Sequence, residues 1–542
     1  MSIAKKSKNI YLTSFFITFF ISLITYSFYA ITYFQGNHDF RFLRYGLSIT
    51  QGLWEGRITQ FLLTTLLLNN QVLPILNMII GIFSLSLSPI ILTKILNIPK
   101  QKISLVFFSL LITLSPYVLS HLYYTHQSTQ TLSWHLIIVL GFAISTHQKS
   151  ILNHKFINLA SSFVLYLIAI SGYSASMQLI FVLIFSSMIL DVIYNNKSIK
   201  DIIKKYTPLI IVGLLSVITY FLITKFLISK NIMQTFMYNN QTHNFLGIIN
   251  SLQHHNIKTP VQVLLSPYPY ITNNISYLIL GLLILTIITF YQKKRLIIGL
   301  ILLIPLLISS TLTGFVSKHY LFNLYRVNMY SIPCTIAILY AINIKNTNII
   351  IKNLSNLIVG IILAMFICSN FTAQKIWYLG TTQDHQTIER VRKHLLPKIN
   401  INTPYRLFFV GNLNSSPKFD ITNKKPYLKT PPHHEHNGAD FFVEAYFPNL
   451  LFLTEAKNPI LTTSIYVSNI LSLVENYETP DNSDKKDMVL HSIVPYKNKQ
   501  VYNMLTTTKK PSSLVIDENI FVFLNKNYSH YQSLMSYLGF NK

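Results

Sequence analysis

The sequence predicts an α-helical polytopic membrane protein of roughly eleven spanning helices, followed by a small C-terminal α/β domain outside the membrane. Three observations carry this. Of 542 residues, 51% are hydrophobic and only 11% are charged, against about 25% charged in an ordinary soluble domain. Apolar runs of about 18 residues or more, the length that crosses a bilayer as a helix, recur along the first two thirds. Beyond residue 372 the composition shifts, and that tail holds 14 of the chain's 18 acidic residues.

The apolar stretches lie near 11–34, 71–95, 103–121, 131–147, 156–173, 175–194, 208–229, 274–291, 296–314, 328–344 and 354–371. The first follows a basic segment (Lys5, Lys6, Lys8) as in a signal peptide. It is too long for one and lacks a small-residue cleavage site, so it reads as a retained helix. With the N-terminus inside, the inner loops hold Lys100 and Lys102; Lys149 and Lys155; Lys197, Lys200, Lys204 and Lys205; Lys293, Lys294 and Arg295; and Lys345 and Lys352. The outer loops at 122–130 and near 174 hold no lysine or arginine. This asymmetry orients the bundle, and an odd number of helices puts the tail outside. The expected division is a membrane domain over 1–372 and an extracytoplasmic α/β domain over 373–542. In the tail, Arg406–Gly411 and Ile520–Leu524 read as strands and Asp384–Leu396 as a helix.

The net charge of +26 does not indicate a nucleic-acid partner, because the basic residues are scattered between apolar runs instead of lining one face. Cys334 and Cys368, both in apolar runs, read as small core residues; two such cysteines make neither a disulfide framework nor a zinc site. No Walker loop, Gly-x-Ser-x-Gly elbow or dinucleotide fingerprint occurs.

Chemistry is best sought in the first outer loop. The membrane part has four acidic residues, Asp39, Glu55, Asp191 and Asp201. The last two flank a basic inner loop and read as solvated partners of its lysines. The first two share one loop with Arg41, Arg44 and Arg57, against the positive-inside bias. A carboxylate at the mouth of a helix bundle can serve as general base on an alcohol, and arginines beside it can hold a phosphate in bidentate contact. The bland alternative is an amphipathic interfacial helix over 40–55 with ordinary ion pairs. Lys225 and Lys230, and Lys318, His319 and Arg326, stand at outer helix ends and can meet a lipid phosphate or serve as snorkelling anchors. His126, His254, His255 and the Ser266–Tyr270 run can line an outer cavity or sit in plain loops. His433-His434-Glu435-His436 lacks the helical spacing of a metalloprotease site.

At the first loop the chain resembles the membrane O-antigen glucosyltransferases of bacteria and their phages, within the wider GT-C group. Asp39, Arg41, Gly46, Trp54, Gly56 and Arg57 carry the resemblance, together with Lys510–Asp517 and Ile520-Phe521-Val522 near the C-terminus. It implies a GT-C-like glycosyltransferase of the bacterial inner membrane, using a polyprenyl-phosphate sugar, glucose being the expected sugar, with a polysaccharide or glycolipid acceptor such as O-antigen. It also implies that Asp39 is the base, with Glu55 as a second carboxylate only if it folds back. The family usually has two adjacent acidic residues here, whereas this chain has His38-Asp39, which weakens a metal-dependent mechanism. No cofactor is expected, and a divalent metal stays open. Two rivals are an O-antigen polymerase or ligase and a lipid or sugar transporter. The loop 230–273 has no arginine, which counts against the first. The helices carry few ionisable groups at their centres, which counts against the second.

Overall fold

The computed structural model describes residues 2–32, 57–60, 62, 73–122, 128–146, 155–195, 197–230, 261, 263–265, 274–312, 328–395, 397, 405–410, 461–466, 512–516 and 519–523. Two compact units divide between Gln374 and Lys375.

The first unit is helical. Its principal helices are α1 (Ser2–Thr32), α2 (Pro74–Ile95), α3 (Lys102–Thr113), α4 (Pro116–Leu122), α5 (Ser128–Thr146) and α6 (Lys155–Gly172). Then come α7 (Met177–Tyr194), α8 (Ile199–Ser229), α9 (Asn274–Gln292), α10 (Leu296–Ser309), α11 (Ser331–Ile344) and α12 (Ile349–Leu395). Each apolar stretch of the sequence falls on a helix, the stretch at 103–121 being broken into α3 and α4. There Pro116 lacks the N–H that a continuing helix needs. Among the described residues, eight helical segments are long and apolar enough to cross a membrane, and 132–146, 296–309 and 331–344 form shorter apolar helices.

α1 shows how the sequence builds a membrane helix. Ser14, Thr18, Ser22 and Thr25 are buried, while Leu12, Phe16, Phe20 and Ile24 are exposed. Spacings of three and four residues put each set on one face. A soluble helix would bury the apolar face. Here hydrocarbon can solvate Leu and Phe, so the face of small side chains turns inward, where it lets other helices approach closely. Ser22 Oγ donates to Thr113 Oγ1 at 2.9 Å, and Tyr26 OH donates to the Thr113 carbonyl at 2.8 Å. Late in the chain, Gln374 Nε2 donates to the Thr25 carbonyl at 2.8 Å.

α7 and α11 form the centre. Every residue of α11 is buried, and α7 is buried along nearly its whole length. Both sequences are apolar all round, the pattern of a helix surrounded by others. α7 packs on α8, α10 and α11, and α11 also packs on α3 and α9. Asn343 Nδ2 donates to the Leu282 carbonyl at 3.1 Å, and its Oδ1 accepts from Thr286 and Thr289 at 3.3 and 3.4 Å. Such hydrogen bonds between helices each stabilise a membrane bundle by about 0.6 kcal/mol.

Two expectations are corrected. Cys334 is buried in α11, but Cys368 is exposed. It shares its side of α12 with exposed Leu354, Leu357 and Ile361, where a small thiol is at home against lipid. Asp191 is not solvated: it is 7% exposed. Its carboxylate accepts from Lys205 Nζ at 2.7 Å, Asn195 Nδ2 at 2.6 Å and Tyr206 OH at 3.0 Å. Asp201 does stay exposed, accepting from Ser198 Oγ at 2.7 Å at the start of α8.

In the second unit four strands form one sheet in the order β2-β1-β4-β3, from β1 (Tyr405–Val410), β2 (Leu461–Tyr466), β3 (Ser512–Ile516) and β4 (Asn519–Phe523). β1 runs parallel to β2 and β4, and β3 runs antiparallel to β4. The run Leu407-Phe408-Phe409-Val410 has no polar alternation, as suits a strand paired on both sides in parallel. The segment read as a separate helix from Asp384 is a continuation of α12.

Candidate functional site

Of the residues expected to act, Asp39, Arg41, Arg44, Glu55, Lys318, His319 and Arg326 lie outside the described residues. So do His126, His254, His255, the 266–270 run and the 433–436 cluster. Lys225 and Lys230 are exposed near the end of α8, and Lys230 Nζ sits 6.0 Å from the Phe226 ring centroid. Arg57 is described, and the site is built outward from it.

Arg57 enters the helical unit at the end where α6 finishes and α7 starts. Its guanidinium carbon lies 5.4 Å from the centroid of the Tyr173 ring, a cation–π contact. Two residues on, the Thr59 hydroxyl is hydrogen-bonded to that of Ser171. Tyr173 reaches this position because the chain turns sharply there. α6 ends at Gly172, Tyr173 is extended at φ −155° and ψ 110°, and a single 3-10 turn over Ser174–Ser176 leads into α7. Gly172 is required: a Cβ there would overlap the indole of Trp134, which is fully buried.

Around Tyr173 gather groups that the sequence scatters. The His121 ring, at the end of α4, meets Tyr173 edge-on at 5.2 Å and 89°. Tyr330, just before α11, lies 6.1 Å from Tyr173, 6.3 Å from His121 and 6.2 Å from His135. His135 is fully buried on α5, its Nδ1 hydrogen-bonded to the Ser88 hydroxyl. Beneath them Ser331 Oγ donates to the Ser310 carbonyl at 2.6 Å and approaches Gln178 Oε1 at 3.4 Å.

Tyr330 is fully buried. The cluster offers one cation, two imidazoles, two phenols and the buried Gln178 amide at one end of the bundle. Such a set can hold an anionic oxygen and orient hydroxyl groups. Among the described residues no group of three or more His, Cys, Asp or Glu side chains is placed to hold a metal.

Sequence reading found Arg57 but not His121, His135, Tyr173, Gln178 or Tyr330. The available signal was histidine inside an apolar run, at 121 and 135, together with tyrosine at both edges of uncharged helix junctions.

The fold and this cluster define a multi-span membrane protein with a cation–aromatic–imidazole site at one end of its helices. The chain belongs to the family described as Glucosyl transferase GtrII, which matches residues 28–336. This is a family of glycosyltransferases of O-antigen glucosylation. The matched segment includes every residue of the cluster, from Arg57 to Ser331, and stops before α12 and the sheet. No curated protein and no solved structure matches significantly.

Proposed function

We propose that the protein transfers a sugar, glucose, from a polyprenyl-phosphate donor to a surface polysaccharide such as O-antigen, at the outer side of the bacterial inner membrane. In this reading the N-terminus is cytoplasmic and residues 373–542 form a periplasmic α/β domain that helps hold the polymeric acceptor. The reaction is an inverting transfer. Asp39 takes the proton of the acceptor hydroxyl, whose oxygen attacks the anomeric carbon. The bond from that carbon to the phosphate oxygen breaks, and the polyprenyl phosphate leaves with the electron pair. Arg57, with Arg41, Arg44 and Arg326, stabilises the charge that develops on the phosphate, and Lys318 and His319 are further candidates for binding it. Glu55 is the second carboxylate of the loop.

The observation that carries this reading is the setting of Arg57. A cation 18 residues after Asp39 in the chain is seated on Tyr173 within a buried, hydrogen-bonding cluster, inside the segment shared with a glucosyltransferase family. Membrane burial strengthens its attraction for phosphate relative to water. The test is Asp39→Asn, assayed by mass spectrometry of the cell's polysaccharide. The variant should insert and accumulate normally while glucosylation of the polysaccharide is lost. Full modification by the variant would overturn the assignment.

A further inference from the structure

α7 begins beside Tyr173 and ends at Asp191 and Tyr194; eighteen residues of helix rise about 27 Å. At that far end lies a cavity of ≈ 790 Å³, in the size range of small-molecule sites. Lys94, Lys100, Lys197, Lys205 and Lys345 line it, with Asp191 as the only carboxylate among the described lining residues. Asp191 is already engaged by Lys205 at 2.7 Å and by Lys197 at 3.5 Å. Three further ammonium groups therefore face the same space, and among the described residues no second carboxylate balances them.

Lysines that only mark topology extend outward into water. Lys345 does the reverse. It is half-buried, and its Nζ donates to the Leu96 carbonyl at 3.1 Å and stands 5.2 Å from the Tyr194 ring centroid. That uses one of its three donors. Burial holds the Lys345 ammonium below the usual lysine range, and Asp191 only partly offsets this. An anion in the cavity would relieve the imbalance.

The depth of the cavity selects the anion. Lys94 and Asp191 occupy the last turns of the spans Ile75–Ile95 and Ser174–Tyr194, and Lys345 directly follows Ile344. This is the headgroup level of one leaflet. Ile90, Ile91 and Leu190 in the wall suit the glycerol and first methylenes of a lipid, and the Tyr11 side chain adds a polar group.

We propose that this cavity binds a phosphate group, supplied by the headgroup of an anionic phospholipid in the leaflet at that end. The site is separate from the cluster around Arg57 and does not depend on the sugar-transfer reading.

Native mass spectrometry of the full-length protein, released from mixed micelles of equal phosphatidylcholine and phosphatidylglycerol, tests it. The wild type should retain one phosphatidylglycerol in preference to phosphatidylcholine. The triple variant Lys94→Gln/Lys100→Gln/Lys345→Gln should bind it about fivefold more weakly per lysine removed, or roughly 100-fold in all. Lys155→Gln/Lys200→Gln/Lys204→Gln removes the same charge at the same end outside the cavity and should retain the lipid. Equal loss in both triple variants, or no preference in the wild type, overturns the site. If the first triple variant does not fold, Lys100→Gln alone, at an exposed position, should show the single fivefold loss, and unchanged retention there also overturns it. A parallel arm adds millimolar inorganic phosphate to protein in phosphatidylcholine alone. Thermal stabilisation of the wild type there, absent in the cavity variant, would keep the phosphate site and assign it to a soluble anion instead of a lipid.

Discussion

Replacing Arg57 by Gln removes the one described cation of the candidate site while keeping a polar side chain of similar length. Two magnitudes follow from its setting. Its guanidinium carbon sits 5.4 Å from the Tyr173 centroid, within the range where a cation–π contact contributes about 0.5–2 kcal/mol, more when desolvated. Arg57 is half-buried, which places the expected stability loss near 1 kcal/mol. If the guanidinium also steadies the leaving phosphate, losing it should slow transfer by about 10²–10³, as for removal of one donor aimed at developing charge. The two effects separate in a double-mutant cycle on purified full-length protein. Arg57→Gln, Tyr173→Leu and the pair are compared by thermal unfolding in detergent and by transfer of labelled glucose. The unfolding data should show a coupling of about 1 kcal/mol, because the contact exists only when both residues are present. Strictly additive stabilities would refute the contact. Normal transfer by Arg57→Gln would refute its role in the reaction.

Other substitutions probe the bundle. Gly172→Leu forces a side chain into the space of Trp134 and should cost about 1–3 kcal/mol or more, read as a lower unfolding temperature. Asp191→Asn leaves Lys205 and Lys197 without their carboxylate and should destabilise by about 1–2 kcal/mol, since both lysines stay partly solvated, with Lys205→Met in the same background restoring part of the loss. Lys345 is held below its ordinary value of 10.5 by burial, so the folded state binds fewer protons than the unfolded state. Stability should therefore rise with pH between the depressed folded value and 10.5. Lys345→Met should flatten that rise, and unfolding scans of both proteins over the alkaline range would show it.

The helices were legible because length and hydrophobicity are local properties. The apolar run at 175–194 announces a buried helix without knowledge of its neighbours, and α7 occupies almost the same residues. What the sequence hid is who meets whom. Asp191 looked like a surface residue because it borders a lysine-rich loop. Its burial depends on Lys205 and Tyr206, 14 and 15 residues away, folding back from α8. Tyr173, His121 and Tyr330 are separated by tens to hundreds of residues, and no periodicity announces their meeting. Arg57 could be singled out because an arginine in a loop that the lysine pattern assigns to the outer side breaks a charge rule. A tyrosine at a helix junction breaks none.

The inward polar face of α1 has a consequence for how the chain is made. α1 is made before the helices it packs on, yet one of its bonds, from Gln374 to the Thr25 carbonyl, joins residues 349 apart. At about 5–20 residues per second, that partner leaves the ribosome roughly 20–70 s after Thr25. Until then α1 rests on α2 and α3, with Ser22 bonded to Thr113. A helix made early thus gains one of its contacts late, and a nascent chain stalled before residue 374 should leave the Thr25 end of α1 open to lipid-borne crosslinking probes.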